Sequence, residues 1–73
     1  MPLVNVEVLE KSFTPAQKKK IISDITDVMV AIEGEPFRKV TWVKINEVSE
    51  GLWGIGGHPL TAEGVARIRA GKA

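Results

Sequence analysis

The stretch TPAQKKKIISDITDVMVAIEG, residues 14–34, decides the fold. Thr14 reads as a helix cap, because its hydroxyl accepts from the unpaired amides of a first turn. Pro15 suits that turn, and Gln17 stands where a capping-box partner reaches back. Ile21, Ile22, Ile25, Val28, Met29 and Ile32 recur at helical spacing on one stripe, while Lys18, Lys19, Asp24 and Asp27 fall largely elsewhere. Gly34 ends the pattern and Pro36 opposes its resumption, so a helix is predicted over 15–33. An apolar stripe of this kind needs a sheet to cover.

Strand-like segments flank it on both sides. From Pro2 to Leu9 the residues alternate, with Val4, Val6 and Val8 on one side and Leu3, Asn5, Glu7 and Leu9 on the other. From Val40 to Asn46 the segment VTWVKIN is rich in β-branched residues. It sets Thr41, Val43 and Ile45 against Val40, Trp42, Lys44 and Asn46. Strand, helix and strand in this order predict a right-handed crossover with parallel strands, an α+β subunit. The face carrying Asn5, Glu7, Trp42 and Lys44 is too apolar for water and too polar for an ordinary core. Glu7 and Lys44 can pair across the strands there. Two strands make a poor sheet alone, so a partner chain is expected on this face. GLWGIGGHPL, residues 51–60, with four glycines in ten, predicts a tight hairpin or flap. Thr61 is a cap for a short terminal helix, which Gly64 weakens.

Length and composition set the bounds. With 73 residues, 44% hydrophobic and 26% charged, the chain has room for a single domain over residues 1–73. A domain of this size buries only about 60% of its unfolded surface. It has no cysteine and a lone His58, so neither disulfides nor zinc can staple it, which leaves self-association. No stretch approaches the roughly 20 apolar residues of a membrane span, and no signal-peptide layout opens the chain, so a cytoplasmic location is expected. A net charge of +1 argues against a nucleic-acid surface, and Lys18, Lys19 and Lys20 read as a solvated helix face.

Residues able to do chemistry are few. Nothing supports a triad or a thiolate mechanism. The GIGG spacing fails both the dinucleotide and Walker patterns. Glu33, Glu35, Glu47 and Glu50 lie near turns, where carboxylates are ordinarily solvated. Pro2 has two readings. It can simply begin a strand, where its missing N–H does no harm. Alternatively, trimming of the initiator methionine, expected before a small second residue, turns it into a terminal secondary amine. Partial burial lowers the pKa of such a group from about 7.7–8.0 toward neutrality, where a general base works best. Were Met1 retained, Pro2 would be an amide without a basic lone pair.

MPLVNVEVLE, TPAQKKKIISDITDVM and GLWGIGG together make the chain, over about residues 2–57, resemble the 4-oxalocrotonate tautomerase family. The resemblance implies a β-α-β subunit that dimerises, with three dimers forming a hexamer, and a cytoplasmic isomerase in the degradation of aromatic compounds. It also implies Pro2 as general base, moving a proton in an unsaturated 2-oxo or 2-hydroxy acid, with no metal or organic cofactor. Trp53, directly before the glycine motif, takes the place of an aromatic residue lining the site; it can equally anchor the hairpin at a subunit contact. The two arginines with which the family holds dicarboxylates have no counterpart, since Ser12 and Trp42 stand at those positions. Arg38 is then the candidate cation for a substrate carboxylate, with Trp42 beside it shaping the pocket. Alternatives on the same scaffold are a hydratase, dehalogenase or decarboxylase, or a non-catalytic subunit of a mixed oligomer.

Overall fold

The computed structural model describes residues 2–71, and the order of elements follows the sequence pattern closely. Strand β1 (Leu3–Leu9) leads into helix α1 (Pro15–Glu33), a 3-10 helix (Glu35–Val40) and strand β2 (Trp42–Val48). A two-residue hairpin of β3 (Gly54–Ile55) and β4 (His58–Pro59) and a final helix α2 (Ala62–Arg69) complete the chain. β1 and β2 form a two-stranded sheet, and the hairpin forms another. The Trp42 amide donates to the Pro2 carbonyl at one end of the first sheet, and the Glu10 amide donates to the Val48 carbonyl at the other. Both strands therefore run the same way, as a crossover through α1 requires.

Two compact units divide the chain. The first holds residues 2–6 and Thr14–Asn46, including α1 and the 3-10 helix. The capping box forms as the sequence predicts: the Gln17 amide donates to Thr14 Oγ1 at 3.1 Å, and the Thr14 amide donates to Gln17 Oε1 at 2.8 Å. Gly34, at a φ of 106° that disfavours residues with a Cβ, ends α1 while its N–H donates to the Val30 carbonyl. The core of this unit is shallow. Val30 is buried, and Ile21, Ile25, Met29, Val4, Val6, Val43 and Ile45 are half-buried.

Two expectations shift. β2 starts two residues later than Val40, because Glu35–Val40 winds into the 3-10 helix, whose end is held by Thr41. The Thr41 hydroxyl lies 2.8 Å from the Phe37 carbonyl and 3.0 Å from Glu33 Oε2. The stripe on α1 is also wider than one face: Val28 is 60% and Ile32 80% exposed. A single two-stranded layer covers only part of a helix circumference, and the arc through Ile25, Met29 and Val30 takes that part.

The second unit holds Glu7–Phe13 and residues 47–71. Val8, Leu9 and Ser12 are buried in it. Its hairpin turns at Gly56 and Gly57, with φ of 59° and 84°, and two consecutive positive values define the tight turn that matches strand twist. Thr61 does cap α2, accepting from the Gly64 amide at 3.1 Å, and the Glu50 carboxylate accepts from the Ala62 amide at 2.6 Å. This second acceptor at the helix start offsets the weakness of Gly64.

Candidate active site

Pro2 stands immediately before β1, half-buried, with its carbonyl accepting from the Trp42 amide at 3.0 Å. A proline sits here without loss, because the ladder at this point uses its carbonyl and not an N–H. The register sets Leu3 beside Trp42, and these two side chains, 52% and 54% exposed, form an apolar patch on the open face of the sheet. The structure thus brings Pro2 and Trp42 together through main-chain pairing. Met1, whose removal the chemistry of a free proline amine requires, lies outside the described residues.

Arg38 belongs to the same unit but is already engaged. Its Nε donates to Glu35 Oε1 at 2.7 Å, and its Nη1 donates to Asp27 Oδ1 at 2.8 Å, tying the 3-10 helix to α1. The hydrogen bond from Arg38 holds the Glu35 carboxyl below its ordinary range, and Glu35 and then Asp27 raise the guanidinium further above its own. Two carboxylates more than balance one guanidinium. To hold a substrate carboxylate, Arg38 must give up one of them.

Trp53 lies in the second unit, half-buried, its carbonyl accepting from the Leu60 amide at 2.7 Å. It lines a cleft of about 280 Å³ together with Phe13, Leu60, Val65, Ser12 and Arg69. Lys11, at a φ of 65°, turns the chain after β1 so that Ser12 points inward, where its hydroxyl donates to the Leu9 carbonyl. The Ser12 carbonyl in turn accepts from Arg69 Nη2 at 2.7 Å, and the Arg69 guanidinium lies 5.7 Å from the centre of the Phe13 ring. Neither Phe13 nor Arg69 stands out in the sequence. The one signal for Arg69 is its spacing from the Thr61 cap, which puts it in the last turn of a short helix.

Comparison with known proteins decides the family. A family described as tautomerase enzyme matches residues 2–63. The chain belongs to the tautomerase family. It is 38% identical over 61 residues to a probable tautomerase of Dickeya dadantii (strain 3937), covering 84% of this chain and 90% of that one. Its fold superposes on the crystal structure of DmpI from Helicobacter pylori with a TM-score of 0.66 at 26% identity, over 80% of this chain and 94% of that one. The activity of this tautomerase is accordingly that of an isomerase. Among the described residues no helix is long and apolar enough to cross a membrane.

Proposed function

We propose that this tautomerase interconverts keto and enol forms of a small unsaturated 2-oxo or 2-hydroxy acid, in the manner of 4-oxalocrotonate tautomerase, with the Pro2 amine as general base. The amine nitrogen of the trimmed chain removes a proton from the enol oxygen or from carbon next to the carbonyl, and the resulting dienolate takes a proton back at another carbon. The observation that carries this reading is Pro2 itself: the family match begins at this residue, and its ring is half-buried with its carbonyl pinned by Trp42. Partial burial disfavours the ammonium form, which favours a neutral amine near pH 7. Trp42 contributes apolar surface beside the base, and Trp53 keeps the substrate-lining role that the resemblance gives it.

The shallow core supports self-association. No side chain among the described residues is fully buried, while Leu3, Trp42, Val28 and Ile32 expose large apolar area. A chain of this size gains the missing burial from other copies, as a dimer and a trimer of dimers. The test measures ketonisation of 2-hydroxymuconate and phenylenolpyruvate by protein whose intact mass shows loss of Met1, alongside Pro2→Ala. Equal rates for the two proteins, or full activity in chains that retain Met1, would remove Pro2 from the mechanism.

A further inference from the structure

We infer that Arg69 is a carboxylate-binding residue, and that the cleft lined by Trp53, Phe13, Leu60 and Val65 takes a monocarboxylate with a flat apolar body. The cleft lies wholly within the second unit. Its volume of about 280 Å³ falls just short of the roughly 300 Å³ at which drug-sized ligand clefts begin. That suits a molecule of one ring or a short conjugated chain. Its lining is mainly aromatic and aliphatic residues, with one cation among them.

Among the described residues, Arg69 is held without being neutralised. The Ser12 carbonyl takes one Nη2 proton at 2.7 Å, and the Phe13 ring lies against the guanidinium at 5.7 Å. A carbonyl and a ring fix the plane of the group, while neither carries the negative charge that would cancel it. A guanidinium has five N–H donors, so fixing one leaves a pair on another edge for the parallel hydrogen bonds that a carboxylate accepts. Ser12 is buried and its hydroxyl is tied to the Leu9 carbonyl, so the clamp on Arg69 is itself anchored in the unit's core. Arg38, by contrast, is already paired with the carboxylates of Glu35 and Asp27.

Charge selects the ligand class. Arg69 is the one cationic side chain among the described residues that line the cleft. One carboxylate on the ligand meets Arg69, while a second would meet no further cation among the described lining residues. The site therefore favours monoanions over dianions, and this names the substrate class for the reading of Trp53 given under the proposed function, on which it rests.

Direct binding tests the assignment without turnover. In the full chain carrying Trp42→Phe, the remaining tryptophan is Trp53, and its fluorescence is titrated with phenylacetate, phenylacetamide and 1,4-phenylenediacetate, with calorimetry on the unaltered chain. Phenylacetate is expected to saturate the signal, the neutral amide to bind at least tenfold more weakly, and the dianion no more tightly than the monoanion. Arg69→Met should weaken phenylacetate about tenfold or more, and Arg69→Lys by less. No saturable phenylacetate binding, equal binding of acid and amide, a preference for the dianion, or unchanged binding in a folded Arg69→Met chain each overturns the proposal. The acid and amide comparison holds even if that variant fails to fold. A chain that binds phenylacetate through Arg69 yet ketonises equally fast as Pro2→Ala refutes the proline mechanism alone; an active chain indifferent to Arg69→Met refutes this site alone.

Discussion

Each of the two units presents an arginine, and the two are held in opposite ways. Arg38 in the first unit donates to the Glu35 carboxylate of its own 3-10 helix and to the Asp27 carboxylate of α1, so its charge is used in joining the two helices. Arg69 in the second unit is held by a backbone carbonyl and an aromatic face, and its charge is still available. The difference teaches how to tell a staple from a site in a small protein. Both side chains are exposed and both have good hydrogen bonds. What separates them is whether the partners are charged.

The largest test of this contrast pits chemistry against anchoring. Pro2→Ala is expected to lower kcat by about 10²–10⁴, the ordinary contribution of a positioned general base. The same variant should bind phenylacetate as the parent does. If both readouts fall together in a folded Pro2→Ala chain, base and anchor are not separable functions. Next in size is core truncation. Leu9→Ala in the second unit should cost about 3 kcal/mol, since Leu9 is 4% exposed and the site of a buried leucine cannot collapse fully. Val30→Ala should cost about 2 kcal/mol in the first. Urea midpoints measure both. A Leu9 variant that unfolds in two transitions would show that the units also melt apart.

How much of this was legible beforehand differs between the units, for a physical reason. In the first, local rules suffice: Thr14, Pro15, Gln17 and Gly34 fix both ends of α1 through contacts within four residues in sequence. Only the 3-10 helix escaped, since its stability comes from Arg38 reaching Asp27 and Thr41 reaching Glu33, and neither pairing has a periodicity. In the second, the glycine-rich segment announced its hairpin, because a two-residue turn with positive φ needs glycine. The cleft was not legible. Arg69 and Ser12 meet across most of the length of the chain, and α2, marginal by local propensity, gains the Glu50 carboxylate at its start from 12 residues away. The place of Arg38 just before β2 makes it a candidate substrate cation by sequence alone. Its carboxylate neighbours, Glu35 and Asp27, read in sequence only as turn and helix-surface residues, and the pairing of Arg38 with Asp27 follows no periodicity.

A smaller effect separates the two helix starts. Thr14→Ala removes half of a reciprocal capping box and should cost about 1 kcal/mol. Thr61→Ala should cost less, because the Glu50 carboxylate still satisfies the first amide of α2. Thermal melts by circular dichroism check both. A larger loss for Thr61→Ala would mean that α2 is the more cooperative element and that the cleft depends on its cap.

The smallest effect is a pH dependence of exposed ion pairs, that of the stapled arginine among them. The hydrogen bond from Arg38 lowers the Glu35 pKa in the folded chain below its ordinary value of 4.5. The unfolded chain therefore binds that proton first, so the pair's contribution is fully present above pH 4.5 and is lost as pH falls through the lower folded-state value. Lys20 behaves inversely: its hydrogen bond to Asp24 raises its pKa above 10.5, so that contribution is present below pH 10.5 and fades above it. Both pairs are solvent-exposed, and the slopes should be shallow and weaken further with salt. Arg69 touches no titrating group through its carbonyl and ring contacts, so Arg69→Met should leave the acid limb of the urea midpoint unchanged, whereas Arg38→Met should flatten it. An acid limb altered equally by both substitutions would mean that the two arginines share a carboxylate environment, and the distinction between staple and site would fall with it.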